Sequence, residues 1–288
     1  MNRLGRSLFS LAAAAFLALT FPAPGLAETL HHAVRVGDTN KVLAIIASRT
    51  NELSKLDKEG YTPLYLAVCL KQKGMAALLI EKGAEVNEPI KHGWTPLHMA
   101  VADGKKDMAV LLLEKGAKVD AKTDKGVTPL QSAVMANRRE AVDLLLSKGA
   151  DVHVKTEGGV TLLHIAAAHA QGPLVSLLIE KGANINATTD DGWTPLFKAI
   201  QQENKDMITL LLDQGVDVKL QLPNGDTALH MAAARGDKEL AERLLSKGAE
   251  INLKNVAGQT PLDTAKASRQ YDMKYFLKTK GGKPAAAL

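Results

Sequence analysis

A threonine stands at Thr62, Thr95, Thr128, Thr161, Thr194, Thr227 and Thr260, each 33 residues after the last. Two residues before each is a glycine, Gly60 through Gly258, and five residues after each is an alanine, Ala67 through Ala265. A second glycine series holds the same phase from Gly83 to Gly281. A period of this length describes one supersecondary unit stacked on copies of itself, each burying a face that it cannot bury alone. Composition agrees. Only 4% of the 288 residues are aromatic although 46% are hydrophobic, which suits a thin, repeated core of Ala and Leu better than one large globular core.

Each repeated position has a mechanical reason. Thr-Pro-Leu, as in Thr62-Pro63-Leu64 and Thr95-Pro96-Leu97, places an N-cap hydroxyl before a proline at the first helical position, where the missing N–H costs nothing. A short first helix follows, and its small alanine allows close helix approach. The apolar triplets Leu78-Leu79-Ile80, Leu111-Leu112-Leu113 and Leu144-Leu145-Leu146 mark a second helix. That helix stops at the second glycine, a left-handed position that penalises a Cβ. An extended stretch with an apolar residue at fixed phase (Val86, Val119, Val152, Ile185, Val218, Ile251) then leads to the next copy.

Gly93-Trp94-Thr95-Pro96-Leu97-His98-Met99-Ala100 and Gly182-Ala183-Asn184-Ile185-Asn186 resemble the ankyrin-repeat family. The resemblance implies an all-α solenoid of helix–loop–helix units joined by β-hairpin-like loops, and a protein-binding role without catalysis or cofactor. It covers residues 58–288 closely and 28–57 loosely. Leu162 and Ala228 depart from the pattern by replacing the proline, and Val216 by replacing the alanine after Gly215. The chain divides into a leader at 1–27, an N-terminal capping repeat at 28–57, six repeats at 58–255, and a C-terminal capping repeat with a short tail at 256–288. That makes about eight units including two caps. Thr29-Leu30-His31-His32-Ala33 runs one residue short of phase, so the first unit reads as a bare helix pair. In the last unit, Lys266 and Lys278 replace residues that are apolar in the preceding copies, as expected where no neighbour follows. Gly282–Leu288 reads as a loose tail.

The leader reads as an export signal. Arg3 and Arg6 precede an apolar run from Leu8 to Phe21, and Gly25-Leu26-Ala27 offers a small-x-small cleavage pattern after Ala27. The run is about 14 residues, short of the roughly 20 that span a bilayer, and Pro22, Pro24 and Gly25 follow it. The expectation is a periplasmic or secreted protein without membrane insertion after cleavage. No cysteine near the cleavage site suggests a lipoprotein, and Asn186-Ala187-Thr188 is a formal glycosylation sequon should the source be eukaryotic. Removing Arg3 and Arg6 lowers the formal charge from +5 to about +3, too mild and mixed to imply nucleic acid. Cys69 is the only cysteine, so an intrachain disulfide is impossible. A monomer is expected.

The sequence holds no metalloprotease, nucleophile-elbow or phosphate-loop motif. His98, His164 and His230 share the fourth position of Thr-Pro-Leu-His. Lying two repeats apart, they are separated by roughly 20 Å at ordinary helix spacing and cannot share a metal. In the family this histidine hydrogen-bonds within and between repeats. A metal-handling or enzymatic role would instead call on His31, His32, His92 or His169. A packed Cys69 is favoured over a reactive one, and Asp190-Asp191 reads as a solvated turn.

Function is sought where the repeat lets residues vary. In the family, partners meet the hairpin tips and the exposed end of the first helix. The residue after the turn glycine runs Tyr61, Trp94, Val127, Val160, Trp193, Asp226, Gln259, so both tryptophans share one register. Trp and Tyr are enriched at interface hot spots; the rings either face a partner or pack on the adjacent hairpin. Tyr61, Trp94, Val127, Val160 and Trp193, with His92 at a tip and Leu70, Asp103, Met135, His169, Gln202 and Arg235 at first-helix ends, form the candidate partner-binding set, assigned no catalytic or metal residue. The partner is expected to be another protein, bound by a scaffold or accessory protein or by an immunity protein that neutralises a toxin.

Overall fold

The computed structural model describes residues 29–288; the expected leader lies outside the described residues. Among these, sixteen α-helices fall into eight consecutive pairs, with short 3-10 turns and no β-strand. The only β pairing there is two isolated bridges, Lys155–Thr161 and Gln221–Thr227.

The chain forms two compact units, one running to Ala133 and including Glu140–Lys148, the other comprising Val134–Arg139 and Gly149–Leu288. In the first unit, α1 (Leu30–Val36) pairs with α2 (Thr39–Ser48), α3 (Pro63–Cys69) with α4 (Lys73–Glu81), and α5 (Pro96–Ala102) with α6 (Lys106–Glu114). Next come α7 (Pro129–Met135) and α8 (Arg139–Ser147). The second unit contains α9 (Leu162–Ala168), α10 (Gly172–Glu180), α11 (Pro195–Gln201) and α12 (Lys205–Asp213). It continues through α13 (Ala228–Arg235), α14 (Lys238–Ser246), α15 (Pro261–Ala267) and α16 (Tyr271–Thr279). First helices pack on first helices: α3 lies against α1 and α5, α11 against α9 and α13, and α13 against α15.

The threonine period becomes a row of helix caps. Thr62 Oγ1 accepts from Tyr65 N–H at 3.1 Å and Thr194 Oγ1 from Phe197 N–H at 3.2 Å, while proline opens α3, α5, α11 and α15. Thr161 and Thr227 still cap their helices where Leu162 and Ala228 replace the proline. The alanine row is the helix contact itself, with Ala67, Ala100, Ala166, Ala199, Ala232 and Ala265 each fully buried. Leu79, Leu112, Leu145, Leu178, Leu211, Leu244 and Leu277 supply the matching row from the second helices, also fully buried. Each such leucine contributes roughly 1.5–3 kcal/mol of burial.

Individual glycines are kept for different reasons. Gly116 sits at φ +90° with open space around a hypothetical Cβ, so backbone conformation alone favours glycine. Gly93 combines φ +76° with close approach: a Cβ would lie 2.8 Å from the Asp124 backbone nitrogen in the next hairpin.

At the N-terminus the one-residue offset runs through the whole of α1, since the left-handed Gly37 and the N-cap Asp38 of α2 correspond to Lys71 and Gln72, and it is taken up before the hairpin bond of Asp57 N–H to the Tyr61 carbonyl. Thr29 caps α1 by accepting from His32 N–H (3.2 Å), and a 3-10 turn at Thr50–Ser54 follows α2. At the other end the structure corrects the sequence reading. Residues 282–285 of the tail are docked rather than loose. Lys283 N–H donates to Asn252 Oδ1 at 2.7 Å, Thr260 Oγ1 donates to the Lys283 carbonyl at 2.8 Å, and Ala285 N–H donates to an Asp263 carboxylate oxygen at 2.7 Å. The tail takes bonds that an inner repeat makes to the following hairpin, since Asn87 and Asn186 accept in the same way from Lys118 and Asp217 N–H. Composition could not reveal this, because Gly-Gly-Lys-Pro looks like a linker until the partners across the repeat are in place.

Candidate functional site: hairpin tips and first-helix ends

The loop before each first helix is closed by backbone bonds. Ile90 N–H donates to the Trp94 carbonyl (2.8 Å), Thr123 N–H to Val127 (3.0 Å) and Thr189 N–H to Trp193 (2.9 Å). The residue after the turn glycine is thereby fixed between a tight turn and the N-cap threonine. Its side chain packs on the residue four positions later, the third of its own first helix. Tyr61 stacks on Tyr65 with centroids 5.3 Å apart, Trp94 lies tilted on His98 at 5.5 Å, and Trp193 meets Phe197 edge-on at 6.4 Å. Tyr61, Trp94, Val127, Val160 and Trp193 all end half-buried. Each ring thus rests on its own repeat and keeps some of its surface open. Trp193 carries a further cover, the Lys198 ammonium 5.2 Å from its ring centroid.

The histidines of the Thr-Pro-Leu-His position are scaffold. Thr95 N–H donates to His98 Nδ1 at 3.2 Å, and His98 Nε2 lies 3.0 Å from the Val127 carbonyl. Because Nδ1 accepts, the ring proton sits on Nε2 and is donated to the next hairpin. His164 and His230 repeat the arrangement onto the carbonyls of Trp193 (2.8 Å) and Gln259 (3.0 Å). Burial pushes the His98 imidazole pKa down to about 4, the Val127 bond only partly offsetting it. His164 and His230 shift down too, chiefly by burial. His31 has the same role despite its shifted phase, with Nε2 lying 2.9 Å from the Tyr61 carbonyl. Burial pushes the Cys69 thiol up to about 12, leaving no thiolate for chemistry at neutral pH.

The first-helix ends divide into used and open groups. Arg235 donates from its guanidinium to the carbonyls of Ile200 and Gln201 at the end of α11. Lys105 does the equivalent for α3, with Nζ 2.8 Å from the Val68 carbonyl and 3.1 Å from that of Cys69, and it pairs with Asp103 at 2.7 Å. These cations complement the helix dipole and add a second donor to the Val68 and Ile200 carbonyls, which already accept from Lys71 and Glu203 N–H. Arg235 and Asp103 are therefore tied into the scaffold. His92, His169 and Gln202 are exposed, and Leu70 and Met135 half-exposed.

Tip-to-tip bonds, which sequence reasoning missed, recur on alternate repeats. Asp124 N–H donates to the His92 carbonyl, Asp190 N–H to Gly158 and Val256 N–H to Asn224, at 3.0, 3.0 and 2.9 Å. His92 adopts φ +65° to present that carbonyl. The alternation of His98, His164 and His230 with Gln131, Phe197 and Asp263 was the available signal of a two-repeat superperiod. Among the described residues, no group of three or more His, Cys, Asp or Glu is placed to hold a metal.

Helix pairs with a repeated N-cap threonine, an alanine contact row and a second-helix leucine row define a tandem-repeat protein of the all-α class. A model of the family described as ankyrin repeats matches residues 24–90, 88–156, 149–221 and 214–286; the chain belongs to the ankyrin-repeat family. No curated protein matches it. Ankyrin repeats generally mediate protein–protein interaction and are typically non-catalytic.

Proposed function

We propose that this protein is a non-catalytic scaffold or accessory protein that holds a partner protein against its hairpin tips and first-helix ends. One observation carries the reading. The invariant polar groups of the repeat are consumed in caps and inter-repeat bonds, whereas the variable register after the turn glycine offers half-exposed Tyr61, Trp94 and Trp193. Aromatic side chains that are already seated lose little freedom on binding, which favours them as anchors. Trp94 and Tyr61, with His92 beside them on the tip, form the stronger site, since Lys198 partly covers Trp193.

The test is capture of the partner from native extract by the wild-type chain and by a Trp94→Ala, Trp193→Ala variant. Capture should be lost while the helical signal stays and the unfolding midpoint falls by only a few degrees. Undiminished capture would remove the rings from the binding surface, and global unfolding would assign them to the fold.

Export supports the choice of partner class. The basic residues Arg3 and Arg6, the apolar run and the Gly25-Leu26-Ala27 pattern favour a periplasmic or secreted partner. A secretion-dependent reporter fused after Ala27 tests this, and retention of the reporter inside the cell would count against it.

A further inference from the structure

In the last repeat, three positions that are apolar in the inner repeats carry lysine. Lys266 takes the place of the buried Val68, Val101 and Val134; Lys274 that of the buried Ala76, Ala109 and Ala241; Lys278 that of Ile80 through Leu245. Residues 256–288 contain six basic residues against two acidic ones. Among the described residues, Arg269, Lys274 and Lys278 make no ion pair. A terminal repeat needs a polar outer face, so capping accounts for the lysines.

Capping does not account for the tyrosines. Tyr271 and Tyr275 are 68% and 72% exposed, at positions held by Lys238 and Glu242 one repeat earlier and by Lys205 and Thr209 before that. On α16 the spacing i, i+4, i+7 aligns Tyr271, Tyr275 and Lys278 on one stripe, with Lys274 beside it. Met273 and Leu277, on the opposite side, are fully buried and fix the rotation of the helix. The outward stripe thus sets two amphipathic rings beside the Lys274 and Lys278 ammonium groups, with the exposed Asp272 carboxylate on its flank held 3.8 Å from Lys238 Nζ.

We propose that this stripe is a peripheral docking surface for anionic phospholipid headgroups. Tyrosine rings favour the lipid–water boundary, and lysine stems can lie along that boundary while their ammonium groups reach phosphate. Basic residues near an anionic leaflet are each favourable by an amount that falls away with salt. A short helix flank presents rings and charges outward along one line, which matches a plane of headgroups. The apolar area is small, so binding is reversible and needs both rings and charges.

The test uses the purified full chain with vesicles of phosphatidylcholine alone and with about a third phosphatidylglycerol, at low salt. The chain should sediment with the anionic vesicles only. Tyr271→Ser with Tyr275→Ser, and separately Lys274→Glu with Lys278→Glu, should each weaken binding at least about tenfold, roughly the loss of one to two headgroup contacts. Tyr271, Tyr275 and Lys278 are exposed and Lys274 half-exposed, so unfolding midpoints should stay close to wild type. Equal sedimentation with neutral vesicles, or none with either, would overturn the proposal. Undiminished binding by the tyrosine variant would reduce the surface to its charge, and tyrosine-dependent retention on polyglutamate or an oligonucleotide without vesicle binding would assign it to another polyanion; both outcomes overturn it.

Discussion

Acid should destabilise this protein through its buried imidazoles, and a glutamine already present in the chain shows how to remove the effect. His98 has an ordinary pKa of 6.5 unfolded and one of about 4 folded. Between these values the unfolded chain binds the extra proton, so stability rises with pH and is lost as pH falls below 6.5. From pH 8 to pH 5 the shift corresponds to a loss of about 2 kcal/mol, approaching a ceiling of about 3 kcal/mol below pH 4. Gln131 occupies the equivalent position in its repeat and keeps the helix cap, its Oε1 accepting from Thr128 N–H at 2.9 Å, but its Nε2 has no partner. His98→Gln should therefore cost about 1 kcal/mol at pH 8, one net hydrogen bond, and gain about 1 kcal/mol over wild type at pH 5. Urea unfolding of both proteins across this range gives the comparison. Two stability curves that cross support a buried neutral imidazole; parallel curves would refute the desolvation argument.

Two further outcomes follow from the packing. Gly116→Ala should cost about 1–2 kcal/mol for a left-handed residue alone, and Gly93→Ala clearly more, because its Cβ must displace the Asp124 backbone; equal shifts in thermal midpoint would deny the close approach. Asp263→Ala should abolish exchange protection of the Ala285 amide, and Asn252→Ala that of the Lys283 amide, with helical content almost unchanged in both; protection retained at the targeted amide would refute the bond assigned to it.

The sequence revealed those features whose partners are close along the chain or repeated at one period. Thr95 meets His98 N–H within the same turn, and Ala67 and Ala100 recur in step, so caps, helix pairing and core rows were readable. What it concealed depends on the register between repeats. The Arg235 guanidinium caps carbonyls at Ile200 and Gln201, a match that only the stacking of α13 on α11 creates. The tail was misread because its anchors, Asn252, Thr260 and Asp263, are ordinary repeat residues until no further hairpin arrives to occupy them. At the candidate site the sequence singled out the aromatic register but not its geometry. The choice of Tyr65, His98 or Phe197 four residues on decides which face of each ring stays open.

The central claim is that a partner protein sits on the hairpin tips and first-helix ends. A photo-crosslinking residue placed at Trp94 and, separately, at Lys106 on the exposed surface of α6 tests it most directly in native extract. Adducts of one protein from position 94 and none from position 106 are predicted. The same adduct from both positions, or from Lys106 alone, would contradict the account.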